Sequence, residues 1–181
     1  MGWIVLLVAF ILIIMVISNY NNLIKARNRV KNAWAQIDVQ LQKRFDLIPN
    51  LMETVKGAAK YESETFEKIV QARNSYKNSE KIDEKIKVVE QSERLFNSIN
   101  ALHESYPELK ANAGYLKFMD SLSTIEEQIS VSRMFYNDTV NNYNDKIMIF
   151  PNNIIAAIFG FKESTLFNVN EDVRKNIGVK F

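Results

Sequence analysis

An apolar segment at the N-terminus constrains the fold of this chain more than any other feature. Every residue from Trp3 to Ile17 is apolar, and the first charged side chain is that of Lys25. A helix of about 20 uncharged residues crosses a hydrocarbon layer roughly 30 Å thick. A cleaved secretory signal is the alternative, but it carries basic residues ahead of the apolar run and small residues at the cleavage position, and neither is found here. The segment 1–22 is therefore predicted to be an uncleaved transmembrane anchor.

Basic residues follow the anchor directly, and none precedes it. The four nearest are Lys25, Arg27, Arg29 and Lys31. The positive-inside rule puts such a cluster on the cytoplasmic side, which predicts a single-pass protein of the cell membrane with its N-terminus outside and its helical body in the cytoplasm. The four cations are also suited to contact anionic lipid head groups.

The remainder of the chain is predicted to be helical. Only five Gly and three Pro occur in 181 residues, so turns are few and the elements are long. Apolar residues recur every three or four positions, which is the spacing of one buried helical face. The predicted helices are 23–46, 49–76, 79–106 and 112–147, and Asn112 is the predicted N-cap of the last one. The expected fold class is all-α, with an N-terminal transmembrane helix followed by an up-down four-helix bundle.

The sequence around Pro49 allows two interpretations. Proline inside a helix removes a hydrogen bond and clashes with the preceding turn, so a kink or a break is expected here. The apolar stripe continues in phase beyond Pro49, which favours a kink. A continuous helix, however, would leave residues 23–48 with little to pack against, and the chain is therefore expected to reverse at Pro49.

A second apolar segment runs from Phe150 to Phe161. If the fourth bundle helix returns toward the bilayer, a short helix over 153–159, ended by Gly160, is expected near the head groups. This helix either lies in the lipid interface or caps the open end of the bundle core, and the second interpretation is favoured. The bundle then covers residues 23–161, and residues 162–181 form a tail.

The sequence offers little from which to build a catalytic or metal site. Cysteine is absent and His103 is the only histidine, so neither a thiolate metal site nor a di-iron pair of Glu-x-x-His motifs can be built. Phosphate-binding loops and nucleophile motifs are also missing. No catalytic residue, metal ligand or cofactor is predicted, and a net charge of +2 gives no reason to expect binding of nucleic acid.

One polar pattern is predicted to be structural. Glu62, Glu93 and Arg133 fall on inward or edge positions of their helices, at equal distances from the membrane-side ends and near the height of Gln36. Arg133 is predicted to bridge Glu93 or Glu62 in a partly buried layer that fixes the helix register. The alternative is that these side chains are solvated edge residues.

Several motifs in the chain are those of one family. They are Ala33-Trp34-Ala35-Gln36-Ile37-Asp38-Val39-Gln40-Leu41, Arg44-Phe45-Asp46-Leu47-Ile48-Pro49-Asn50-Leu51, Tyr106-Pro107-Glu108-Leu109-Lys110-Ala111-Asn112, Arg133-Met134-Phe135-Tyr136-Asn137 and the segment that begins Phe150-Pro151-Asn152. With these motifs in order over most of its length, the chain resembles the LemA family of bacterial membrane-anchored proteins. The resemblance implies a four-helix bundle behind an N-terminal transmembrane helix, and no enzyme activity.

The leading interpretation of function is a membrane-tethered scaffold or adaptor that presents a rigid helical surface to protein partners. It rests on the anchor, the bundle and the lack of catalytic groups. The alternative is a membrane-organising protein that acts on anionic lipid through the basic helix and the segment 150–161. An enzyme of unrecognised type is the third interpretation. The sequence leaves open the identity of the partner and the oligomeric state, a homo-oligomer included.

Overall fold

A computed structural model describes residues 1–55 and 63–168. The regular elements in this part of the chain are all helical, as predicted, and none is a strand. They are α1 (Gly2–Asp46), α2 (Ile48–Val55), α3 (Ser63–Asn78), α4 (Ile82–Ser105), a 3₁₀ helix (Pro107–Ala111), α5 (Ala113–Met148) and α6 (Asn152–Phe159).

Helix α1 contains the apolar N-terminal segment and continues beyond it for several turns. Side chains from Trp3 to Ile17 are exposed, and the first buried one is Leu23. In length and composition, this helix is able to cross a membrane. From Leu23 onward, apolar residues at three- and four-residue intervals are buried, which gives the second part of α1 one core-facing side.

The expected reversal at Pro49 is wrong, because the helix goes on through this proline. A single residue, Leu47, separates α1 from α2. The N–H of Leu47 donates to the carbonyl of Lys43, and the N–H of Leu51 donates to the carbonyl of Leu47, each at 3.1 Å. Pro49 itself is exposed. Its ring therefore points toward water. The carbonyl four residues earlier, which has no N–H partner because proline lacks one, is able to bond to solvent there.

The chain divides into two compact units, and the first consists of residues 1–36 and 132–166. In this unit α1 packs against the C-terminal part of α5, where the rings of Trp34 and Tyr136 meet edge to face with centroids 5.5 Å apart. Helix α6 buries Ile155 and Ala156 and ends at Gly160, whose φ of 70° lies in the left-handed region that favours glycine.

The segment after α6 is attached to α5 by hydrogen bonds. The hydroxyls of Tyr143 and Tyr136 donate to the carbonyls of Lys162 and Thr165, at 2.9 and 2.8 Å. The amide of Asn144 both donates to and accepts from the backbone of Ser164. The first residues of the range 162–181 are therefore held on the first unit, whereas residues 169–181 lie outside the described part of the chain.

The second unit contains the described residues of 37–131 together with Phe167 and Asn168. Helices α3 and α4 pack on each other, α2 contacts α3, and the 3₁₀ helix contacts α4. Phe45 lies at the centre of this unit, with its ring centroid 5.1 Å from that of Tyr76 and 5.7 Å from that of Phe96. The predicted N-cap of α5 is confirmed, since Asn112 Oδ1 accepts the N–H of Tyr115 at 3.0 Å. The up-down-up-down order of a four-helix bundle stays a prediction.

Candidate functional site

Arg44 of α1 is a charged side chain enclosed in the core of the second unit, with 1% of its surface exposed. Its Nη1 and Nη2 donate to the two carboxylate oxygens of Glu93 on α4, at 3.1 and 3.3 Å. Its Nε lies 2.6 Å from Oε1 of Glu126 on α5, and its Cζ lies 3.8 Å from the ring centroid of Phe96. The guanidinium thus joins three helices through ion pairs and a cation–π contact.

A second polar cluster surrounds Asp38, two turns earlier on α1. Its Oδ1 accepts hydrogen bonds from the Tyr76 hydroxyl at 2.5 Å and from Lys85 Nζ at 2.8 Å, and its Oδ2 accepts from Gln42 at 2.8 Å. Burial raises the pKa of Tyr76, and the hydrogen bond to the Asp38 carboxylate raises it further. The cluster ties α1 to α3 and α4 through these hydrogen bonds.

A third ion pair joins α1 to α3 at the surface. Arg73 Nη2 donates to Asp46 Oδ1 at 2.8 Å, and Lys77 Nζ lies 3.6 Å from the same oxygen. The hydrogen bond from Arg73 holds the pKa of the Asp46 carboxyl below its usual value. In all three clusters, the charged groups of α1 are matched by opposite charges on neighbouring helices, an arrangement that fixes register rather than activating a nucleophile.

The residues of the predicted polar layer have different surroundings. Glu93 is half-buried and accepts from Arg44, Arg133 is half-buried on the part of α5 that belongs to the first unit, and Gln36 is exposed. Glu62 lies outside the described residues. A bridge from Arg133 to Glu93 or Glu62 therefore stays a prediction.

Arg44 was not singled out from the sequence, although its position carries a signal. It lies in phase with the buried residues Leu41 and Ile48, three positions after the first and four before the second. A charged residue on the apolar stripe of a long helix is a candidate buried ion-pair partner, because an enclosed charge must find a counter-charge.

The first unit has a groove of about 550 Å³ between α1 and α5. Cationic Arg29 and Lys146, several amides and the exposed ring of Phe135 contribute to its wall. Its lining residues are Ala26, Arg29, Asn32, Ala33, Gln36, Phe135, Thr139, Asn142, Tyr143 and Lys146. Such a lining suits a ligand that carries both negative charge and an apolar group.

The four basic residues after the anchor are all exposed. They are Lys25, Arg27, Arg29 and Lys31. The guanidinium carbon of Arg27 lies 5.2 Å from the ring centroid of Phe161, so this side chain stacks on the segment that follows α6. Contact of the four cations with lipid stays a prediction.

Within residues 1–55 and 63–168, no group of three or more His, Asp or Glu residues is arranged to hold a metal ion. The side chain of His103 lies outside the described part of the structure. The described residues bring together a set of ion-paired helix contacts, a polar groove and exposed apolar segments.

The chain is similar in sequence to known proteins. The sequence model of the LemA family matches residues 33–181. The chain is similar to Protein LemA of Metamycoplasma hominis, with 26% identity over 163 residues that cover 89% of this chain and 74% of that protein. It is also similar to the magnetosome proteins MamQ 1 and MamQ 2 of Paramagnetospirillum magneticum, with 36% identity over 67 residues that cover 37% of this chain and 25% of each of those proteins. Because the family match extends over most of its length, the chain belongs to the LemA family.

Proposed function

We propose that this chain is a non-catalytic single-pass membrane protein that presents its helical body to a protein partner in the cytoplasm. The observation that carries the proposal is the continuity of α1, whose 45 residues join the exposed apolar segment to the buried core without a linker. At about 1.5 Å per residue, the part from Leu23 to Gln36, which belongs to the first unit, extends roughly 20 Å beyond the anchor. A scaffold needs such a connection, because a stiff helix holds a binding surface at a fixed distance from the bilayer.

The groove of the first unit is the surface that we assign to the partner. Arg29 lies about 10 Å along α1 from the end of the anchor at residue 22. The cations of Arg29 and Lys146 favour an acidic segment, and the ring of Phe135, which is 51% exposed, offers a place for an apolar side chain. The partner is therefore a protein segment that combines acidic and apolar residues.

Site-specific photocrosslinking in living cells tests this assignment. A photoreactive phenylalanine at position 135 is expected to form a discrete adduct with a protein partner. Met134 provides the matched control, because it is the neighbouring residue, is 63% exposed and does not line the groove. The adduct at position 135 is expected to lose most of its intensity when Arg29→Glu reverses one of the two cations.

Equal adducts from positions 134 and 135 would contradict the assignment, since they would report random collisions. An adduct at position 135 that is unaffected by Arg29→Glu would also contradict it, because charge complementarity is the basis on which the partner is chosen.

A further inference from the structure

The segment around α6 exposes an unusual amount of apolar surface for a helical body. No charged residue occurs from Ile147 to Phe161, and lysines flank this stretch at positions 146 and 162. The exposed large apolar side chains in this segment are Met148, Ile149, Phe150, Ile154, Ile158 and Phe159. Several exposed apolar side chains within one short segment indicate a contact surface, whereas single exposed apolar residues are ordinary.

Only one face of α6 is buried against the rest of the first unit. Ile155 and Ala156 are buried, with 5% and 4% of their surfaces exposed. Ile154 and Ile158, one turn apart, lie on another face, and Ile158 is 71% exposed. The helix therefore covers the core with one side and leaves a second apolar side largely exposed.

The position of α6 along α1 indicates what covers this second side. The ring of Tyr20 lies 4.8 Å from that of Phe159 and 5.8 Å from that of Phe161, measured between centroids. Tyr20 is three residues beyond the last residue of the apolar run, about 4.5 Å along the helix. At this level a spanning helix leaves the hydrocarbon, and aromatic side chains gather at such an interface.

We propose that α6 and the turn before it insert their exposed apolar side chains into the lipid interface beside the anchor. The proposal rests on the proposed membrane crossing of α1. We assign lipid, rather than a protein, to these exposed side chains. The apolar patch that they form is continuous, through Tyr20, with the surface of the spanning segment. Lys162 and Arg27 border the patch, and both are exposed cations that are able to meet anionic head groups. The protein thus contacts the bilayer at two places, through a spanning helix and through an interfacial helix.

Fluorescence quenching by brominated lipid tests this second contact in the full-length protein. The chain has no cysteine, so single cysteines carry an environment-sensitive dye at chosen positions. Ile158→Cys and Ile154→Cys probe the exposed face of α6. Leu12→Cys probes the anchor, and Met134→Cys is the matched exposed apolar control, about 21 Å along α5 from Met148. The protein is reconstituted in vesicles of phosphatidylcholine and phosphatidylglycerol, with or without bromine on the acyl chains.

Dyes at positions 158, 154 and 12 are expected to lose at least about half of their emission in brominated vesicles, while the dye at position 134 keeps its emission. Quenching at position 12 without quenching at 158 and 154 would overturn the interfacial contact and leave the anchor intact. Absence of quenching at position 12 would overturn the membrane crossing, and the interfacial contact with it. Self-quenching between labelled copies at 158, together with protection from brominated lipid, would assign the patch to a second copy and overturn the proposal.

Discussion

Removing an arginine from water costs several kcal/mol, and the surroundings of Arg44 offset that cost. Glu93 accepts two hydrogen bonds in a fork geometry, Glu126 supplies a second carboxylate, and Phe96 presents its ring face. Lysine cannot reproduce this arrangement, because an ammonium group is neither planar nor forked. The site therefore selects arginine and holds three helices in one register.

Arg44→Ala is expected to lower the free energy of unfolding by about 3 kcal/mol, because Glu93 is left half-buried without its partner. Thermal and denaturant unfolding of the full chain in detergent, followed by circular dichroism, measures the loss. Lys43→Ala is the control, since the neighbouring side chain is exposed and its removal should cost less than about 0.5 kcal/mol. Equal stability of the two variants would contradict the role of Arg44 in holding three helices together.

Tyr76 makes the stability of the second unit dependent on pH in the alkaline range. Its pKa is raised in the folded protein, so the folded state keeps the phenol neutral where the unfolded chain ionises. The stability it contributes is complete below the ordinary tyrosine pKa of about 10, and it is lost as the pH rises above that value.

Tyr76→Phe is expected to lower the free energy of unfolding by about 1–2 kcal/mol at neutral pH, because the hydrogen bond to the Asp38 carboxylate is lost. The difference between parent and variant should narrow above pH 10, and denaturant titrations between pH 7 and pH 11 measure it. A difference that stays constant over this range would contradict the raised pKa.

The sequence predicts a partly buried polar layer that contains Glu93. It does not predict Arg44, the residue that is at the centre of the polar cluster in the structure. Glu93 is common to both and accepts hydrogen bonds from Arg44, whereas its bridge to Arg133 stays a prediction. Apolar stripes locate the helix faces, but they do not decide which of several basic residues reaches a given carboxylate. That choice depends on the separation and rotation of helices, which a repeat of apolar residues leaves undefined.

At the scale of elements, two arguments give opposite predictions at Pro49. The local apolar pattern favours a continuous helix, whereas the packing of residues 23–48 favours a reversal. The apolar stripe runs in phase through Phe45, Ile48 and Leu51, and all three are buried. This local signal favours the continuous path that the structure has. The expected reversal depends on covering the apolar face of residues 23–48 with other helices. This is a requirement on tertiary packing, which the local sequence does not encode. The N-cap at Asn112, by contrast, depends on a local hydrogen bond and was predictable.

Pro49→Ala is expected to leave the free energy of unfolding unchanged or raise it by up to about 1 kcal/mol. Alanine restores a backbone donor in a helix that already passes through this position, and the proline ring makes no buried contact. Unfolding of the full chain in detergent measures the change. A large loss of stability would indicate that the chain needs proline for a turn here, and would contradict the continuous helix.

At the scale of the whole molecule, one helix contains both the apolar segment that is able to cross a membrane and part of the folded body. The apolar run was sufficient to predict a helix able to span a membrane, because its chemistry is local and strong. The orientation that the following cations indicate stays a prediction. The groove between α1 and α5 was not predictable in this way. Its lining residues come from segments that are about a hundred positions apart, and only the packed helices bring them together.

Accessibility of single cysteines in intact cells tests this account most directly. Gly2→Cys and Asp138→Cys place one thiol at the N-terminal end of the anchor, ahead of the apolar run, and one on the exposed surface of α5, in a chain that has no other cysteine. A membrane-impermeant maleimide is expected to label position 2 in intact cells, and position 138 only after the membrane is permeabilised. Labelling of position 138 at the same rate before and after permeabilisation would contradict a single crossing that leaves the helical body in the cytoplasm.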